Sequence, residues 1–297
     1  MAGQLKLAKW TMNIIISGGT GYIGSSLIPK LIEEYKVVYN IGRSEITKIS
    51  SGGIVETIDY TINSLVDVLE QLSPDLYLNL SAGYYTNNSS HDLNVIDGNL
   101  KIQFIVLEFF KLQGRGRFIN IGSYWEFSYS RKNVKGVNPY GIIKSALRSL
   151  LKYYAAYNVH YTNLMLYGTY GENDHRGKII DCIIHSANSE QFLKLSPGEQ
   201  KLNLVYINDI VSVILIIVSS NGKKYHNKTF SIHTEKEYKI KDIVELISEI
   251  KNNNLLVGEL PYRDDEVMAP EYKYENIINV SDKVKEYIIE KVKNDID

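Results

Sequence analysis

Ile14-Ile15-Ile16-Ser17-Gly18-Gly19-Thr20-Gly21-Tyr22-Ile23-Gly24 decides the fold. A short apolar run passes into glycines spaced G-x-x-G-x-x-G, and apolar residues then recur at helical spacing from Tyr22 to Glu34. The segment is therefore a strand, a tight loop and a helix. Gly18 permits the turn, Gly21 lets the backbone approach a pyrophosphate, and Gly24 allows close packing of helix on strand. The helix N-terminus adds unpaired N–H groups and the positive end of its dipole. Alone a glycine triplet is a turn; between a strand and a helix it predicts dinucleotide binding by Gly18, Thr20, Gly21, Tyr22, Ile23 and Gly24.

Outward from this loop the same rhythm repeats. Lys36 to Ile41 reads as a second strand, Ser64 to Leu72 as helix, Leu76 to Leu80 as strand, Leu93 to Leu112 as a long helix and Arg117 to Ile121 as strand. A helix from Tyr140 to Tyr157 and a strand from Tyr161 to Leu166 follow. Strands alternating with crossover helices imply an α/β fold with a doubly wound parallel sheet covered on both faces. Beyond about residue 172 the pattern loosens, with Tyr206 to Ser219 and Ile240 to Lys251 as helices and Thr229 to His233 as strand. The expected organisation is an N-terminal extension at 1–12, a dinucleotide-binding domain at 13–172 and a smaller lobe at 173–297, some of whose segments return to the sheet.

The 297-residue chain suits one large domain with a smaller one packed on it. Lys and Arg total 33 against 34 Asp and Glu, with no basic stripe, so a nucleic-acid partner is not expected. The longest apolar runs, such as Ile210 to Val218, reach about half of the roughly 20 residues a membrane helix needs. The single cysteine, Cys182, allows no internal disulfide and no multi-cysteine metal site; it fits a reducing compartment, and a cytoplasmic location with no metal is expected.

Asn138-Pro139-Tyr140-Gly141-Ile142-Ile143-Lys144 opens a predicted helix, and residues four apart share a helical face. A lysine cation near a tyrosine lowers a phenol pKa of about 10 toward the useful range. With 23 tyrosines in the chain, a Tyr four before a Lys is unremarkable by itself. Order makes it specific: the glycine loop, then Ser123 after a later strand, then Tyr140 and Lys144 on the next helix.

That order, over roughly residues 13 to 172, resembles the extended short-chain dehydrogenase/reductase superfamily, the epimerase/dehydratase group with a Rossmann-type sheet, whose members act on nucleotide-linked sugars. The resemblance implies that Tyr140 is the acid/base, that Lys144 lowers its pKa and holds the nicotinamide ribose, and that Ser123 orients the substrate oxygen. It also puts Asp59 and Tyr60 beside the adenine, Ser81, Ala82 and Gly83 along the cofactor, and Asn99 in the helix that orders the site. Asp59 is equally an ordinary helix N-terminal acid, and Asn99 a capping amide. Gly42-Arg43-Ser44 ends the second strand where an acid would select NAD; Arg43 offers a phosphate a planar cation and Ser44 a hydroxyl, so NADPH is favoured over NADH. The competing reading of Arg43 is a solvated loop arginine. Ser123, Tyr124, Val205 and Arg263 are the expected contacts of a nucleotide-sugar, although Arg263 also reads as half of a surface ion pair.

The sugar 4,6-dehydratases carry Asp-Glu directly after this serine or threonine; Tyr124-Trp125 stands there instead, and Glu126 falls one place too far along. That disfavours dehydration. The short interval from Ser123 to Tyr140, Gly198-Glu199-Gln200 and the run from Arg263 to Met268 look most like the 4-ketoreductases that finish CDP-linked 3,6-dideoxyhexoses, the abequose and paratose synthase group. Departures are Leu202-Asn203 for Arg-Asp, Met165 and Gly168 for Arg and Asn, and Glu172 for a proline. The expectation is an NADPH-dependent C4 ketone reductase in deoxysugar biosynthesis for surface polysaccharide, and a homodimer through the apolar faces of the helices Leu93 to Leu112 and Tyr140 to Tyr157, which packing within the chain explains equally well. An NAD-dependent epimerase and a non-enzymatic NADP(H) sensor remain as alternatives.

Overall fold

Ile14, Ile15 and Ile16 are fully buried because the strand they form, β1 (Ile14–Ser17), is covered on both faces. The computed structural model describes residues 12–35, 37–42, 54–58, 62–83, 96–127, 139–220, 223–263, 266–270 and 276–293. The expectations for residues 1–11, Arg43, Ser44, Asp59 and Tyr60 lie outside the described residues.

β1 is flanked by β2 (Val37–Ile41) and β4 (Leu76–Asn79), with β3 (Ile54–Ile58) beyond β2. On the other side follow β5 (Gly116–Ser123), β6 (Val159–Leu166), β10 (Lys228–His233) and β13 (Ile277–Asn279). All seven pairings in this eight-stranded sheet are parallel, in the order β13-β10-β6-β5-β4-β1-β2-β3. Chain order reverses direction at β1 and β4, the crevice where such sheets bind ligands.

One face is covered by α1 (Tyr22–Glu34) and α6 (Ile207–Ser219). α6 buries Ile207, Ile210, Val211, Ile214, Ile217 and Val218, a three-and-four spacing that makes one apolar stripe. Each such side chain contributes about 1.5–3 kcal/mol when fully buried. The opposite face carries α2 (Ile62–Leu72), α3 (Ile102–Gln113) and α4 (Pro139–Tyr154). The predicted long helix is wound more loosely at its start, where Asp97–Lys101 forms a π turn before α3, and Gly114 ends α3 in the left-handed conformation (φ 63°).

A third apolar cluster holds the remaining elements together: β7 (Gly168–Tyr170), α5 (Ile179–Ala187), β8 (Leu193–Leu195), β9 (Lys201–Tyr206), β11 (Glu237–Lys239), α7 (Ile240–Ile250), β12 (Leu255–Val257) and α8 (Val284–Lys293). Among the described residues no helix is long and apolar enough to cross a membrane.

Candidate active site

A cleft of about 1050 Å³ opens where β1, β4, β5 and β6 end. Ser17, Gly18, Thr20, Gly21, Tyr22 and Ile23 form one wall, with Ser81, Ala82 and Gly83 beside them. Gly18 has φ +77°, and a Cβ there would lie 2.6 Å from the Ser81 backbone nitrogen, so only glycine lets the loop pass this close to the chain after β4. α1 starts at Gly21 with no side-chain cap, which leaves its first-turn N–H groups to an anion. Bare backbone, a helix start and a long cleft fit a dinucleotide pyrophosphate.

The facing wall is built from the end of β5 and the start of α4. Ser123 closes β5 and is 9% exposed, and the Trp125 backbone N–H donates to its Oγ at 3.3 Å. Gly141 lets α4 press against this turn, since a Cβ there would lie 2.5 Å from the Trp125 carbonyl oxygen. One turn apart on α4, Tyr140 and Lys144 both line the cleft, with Lys144 Nζ 5.7 Å from the Tyr140 ring centre. Lys144 is 2% exposed and donates to the carbonyls of Ser81 (3.3 Å) and Ile121 (3.2 Å). Burial pushes its pKa down to about 8, and the negative charge of Glu126 opposes that fall. The lysine is thus anchored between the two strand ends that frame the site.

Glu126 itself is turned out of the cleft. Its buried carboxylate accepts the Ser123 N–H at 3.1 Å and Arg148 Nε at 2.9 Å. Burial raises its pKa to about 7, against the pull of the Ser123 N–H, Arg148 and Lys144. Tyr124 lines the cleft and stacks on Tyr167 with ring centres 5.6 Å apart, and Ser231 Oγ donates to the Tyr167 hydroxyl.

Three cationic side chains, Arg176, Lys178 and Arg263, also reach the cleft. Asp174 holds Arg176 through Nε–Oδ1 (2.7 Å) and Nη2–Oδ2 (2.6 Å), Arg176 donates to Thr169 Oγ1 at 2.8 Å, and its guanidinium lies 4.0 Å over the Tyr22 ring. Arg263 pairs with Glu266 at 3.0 Å on an open rim. Gln200, Leu202 and Leu204 line the cleft as well.

Some expected contacts lie elsewhere. Val205 is fully buried in the core, because along β9 its side chain points opposite to those of Leu202 and Leu204 on the cleft wall. Gly24 is also off the wall and serves packing: a Cβ there would lie 2.5 Å from the Gly19 carbonyl oxygen. Asn99 is buried behind the wall and donates to the Gly83 carbonyl at 2.9 Å, which ties the chain after β4 to the π turn. Of the two departures on β6 and β7, Met165 is core and Gly168 lines the cleft.

Sequence reading missed a buried polar row beneath the strand ends. Ser17 Oγ donates to Asn79 Oδ1 (3.0 Å), Asn79 Nδ2 to Asn120 Oδ1 (2.7 Å) and Asn120 Nδ2 to Asn163 Oδ1 (2.7 Å), each between partners in strand register. A one-residue slip of any strand would strand these amides in an apolar core, so the row fixes the strands that carry Gly18 and Ser123. Arg176 and its Asp174 were missed as well; the only signal was an acid two residues before a base in a loop.

The family model described as NAD dependent epimerase/dehydratase family matches residues 14–232. CDP-abequose synthase of Yersinia pseudotuberculosis is 62% identical over 282 residues, covering 95% of this chain and 100% of that protein. CDP-abequose synthase of Salmonella typhimurium LT2 is 24% identical over 86% of this chain and 87% of its own length. The structure of UDP-glucose 4-epimerase with UDP-glucose from Thermotoga maritima superposes with a TM-score of 0.76 at 21% identity, over 95% of this chain and 98% of that one. UDP-glucuronic acid 4-epimerase from Bacillus cereus, in complex with UDP-glucuronic acid and NAD, gives 0.75 at 17% identity over 95% and 99%.

Proposed function

The chain belongs to the NAD dependent epimerase/dehydratase family, and from that premise we propose that it reduces the C4 ketone of a CDP-linked deoxyhexulose in deoxysugar biosynthesis. One observation carries the reaction type. Ser123, Tyr140 and Lys144 stand on one wall of the cleft, while Glu126, the carboxylate nearest to Ser123 in the chain, is turned away from it. Reduction needs one proton donor. Elimination of water needs an additional acid and base.

The protein works with a nicotinamide dinucleotide, for which the loop from Gly18 to Ile23, the segment from Ser81 to Gly83, Tyr140 and Lys144 provide the binding surface. When bound, the reduced nicotinamide supplies the hydride. Ser123 Oγ hydrogen-bonds the ketone oxygen, and the Tyr140 hydroxyl gives that oxygen its proton as the C4 alcohol forms. The Lys144 cation steadies the tyrosinate left behind, which regains its proton from solvent. Arg176, Lys178 and Arg263 supply the positive charge that a nucleotide diphosphate requires. Tyr124 and Tyr167 give the deoxygenated carbons of the sugar an apolar surface. In this reading residues 13–172 hold the cofactor, and 173–297 mainly the nucleotide-sugar. The test is NADPH consumption against CDP-, dTDP-, GDP- and UDP-linked 4-keto sugars: CDP substrates should be turned over at least tenfold faster than the others. Net consumption with none of them would refute the reading.

The choice of NADPH rests on Arg43 and Ser44, which directly follow Gly42 at the mouth of the cleft. A hydrogen bond to a charged group contributes about 1.5–3 kcal/mol, so Arg43→Ala should weaken NADPH roughly 10- to 100-fold while NADH changes little. Steady-state KM values for both cofactors check this, and an unchanged ratio would remove Arg43 from the site.

A homodimer is part of the same reading. Phe104 and Leu112 on α3, with Ile142 and Tyr153 on α4, are 46%, 81%, 47% and 52% exposed, an apolar surface that a second copy can cover. Sedimentation should give twice the chain mass, and Leu112→Glu should return it to one.

A further inference from the structure

We propose that Glu126 is a positioning residue, which fixes the turn carrying Ser123 and keeps Lys144 in its cationic form; this rests on the reading that Lys144 meets the cofactor. The carboxylate is wholly buried, with one oxygen on the Ser123 N–H (3.1 Å) and the other on Arg148 Nε (2.9 Å). The space around it is closed: a Cβ at Gly122 would lie 2.7 Å from Glu126 Oε1 and 2.9 Å from Asn163 Oδ1. Glu126 therefore sits where the buried amide row ends, behind the backbone of β5, and cannot swing aside. Glu126 holds its turn through Ser123 N–H and makes no bond to the Ser123 hydroxyl, which accepts the Trp125 N–H and faces the cleft.

Among the described residues, the charged groups that act on Glu126 are Arg148 and Lys144 of α4. Arg148 neutralises it directly, and Lys144 lies one helical turn earlier on the same face. Burial strips the lysine of solvent and favours its neutral form; the carboxylate behind it favours the cation. Arg148 and the Ser123 N–H pull the carboxylate toward its charged form, against the burial that raises its pKa to about 7, so that it is mostly charged at pH 8. Arg148, Glu126 and Lys144 are thus linked by charge, and of the three only Lys144 lines the cleft.

Glu126→Gln keeps an oxygen for the Ser123 N–H and removes the charge. NADPH affinity, titrated by fluorescence from pH 6 to 10, should weaken in the wild type as Lys144 loses its proton, and in Glu126→Gln the same weakening should begin about one pH unit lower. On a CDP-linked 4-keto sugar at pH 8, kcat should fall about tenfold with the sugar KM within threefold. Glu126→Asp, which keeps the charge but shortens the arm, should restore the binding profile without restoring kcat. If Glu126→Gln does not fold, Arg148→Met makes the same comparison, with a smaller shift in the same direction expected. A binding profile identical in the wild type and these variants, or absent from all, overturns the role of Glu126. A wild type that shows the profile yet reduces no CDP-linked ketone overturns the functional reading and leaves the role of Glu126 standing.

Discussion

Tyr140→Phe is expected to lower kcat by about 10³-fold, within the 10²–10⁴ that a positioned proton donor contributes, while NADPH affinity stays within about threefold of wild type. The ring fills the same volume against Lys144, whose Nζ lies 5.7 Å from its centre, so the cleft keeps its shape and only the proton is lost. Without it an alkoxide would have to form unprotonated beside Ser123. A single-turnover measurement with saturating NADPH separates this from slow binding. A variant with more than a tenth of wild-type kcat would show that the proton comes from elsewhere.

Lys144→Met should abolish measurable turnover and yet leave the fold no less stable at pH 7. Both effects follow from one fact: a lysine that is 2% exposed, held by two carbonyls, is kept where solvent cannot reach it. Its pKa falls from 10.5 in the unfolded chain to about 8 in the folded one, so between those values the folded state binds fewer protons. Stability from this group is present above pH 10.5 and is lost as pH falls through 8. At about 1.4 kcal/mol per pKa unit the cost near neutrality is of the order of 3 kcal/mol, offset in part by the two hydrogen bonds. Removing the ammonium removes the cost and the bonds together. Melting temperatures at pH 7 and pH 9.5 check the sign: wild type should gain stability between them relative to Lys144→Met. A variant that melts far below wild type at both pH values would make Lys144 a structural residue first. Stability forgone at a functional position is the expected trade.

The features legible in the sequence are those carried by local pattern. The glycine loop declared β1 and α1, and Tyr140 with Lys144 needed only the helical repeat to share a face. α8 was missed: Val284, Ile288 and Val292 recur every fourth residue and all are fully buried, but the charged residues between them obscured the stripe. β3 was missed because Ile54–Ile58 is five residues with an acid at its centre. The asparagine row could not be read at all: Asn79, Asn120 and Asn163 lie about forty residues apart, each an isolated amide in an apolar strand, and only strand register brings them together. Glu126 illustrates the same limit. Its offset from Ser123 counted against dehydration, and the carboxylate does not line the cleft, while its partner Arg148 sits 22 residues on and a full helix turn past Lys144. Val205 misled for a simpler reason, as a strand alternates its faces and the wrong parity was chosen.

The central claim is that this site reduces a C4 ketone by one hydride and one proton from Tyr140. The direct measurement supplies NADPH deuterated at the transferable position together with a CDP-linked 4-keto-3,6-dideoxyhexose, and locates the label by NMR. One deuterium at C4 of the sugar for each NADPH consumed, formed about 10³-fold more slowly with Tyr140→Phe, is the result expected. A sugar that changes configuration without consuming NADPH, or a product with no label at C4, would contradict it.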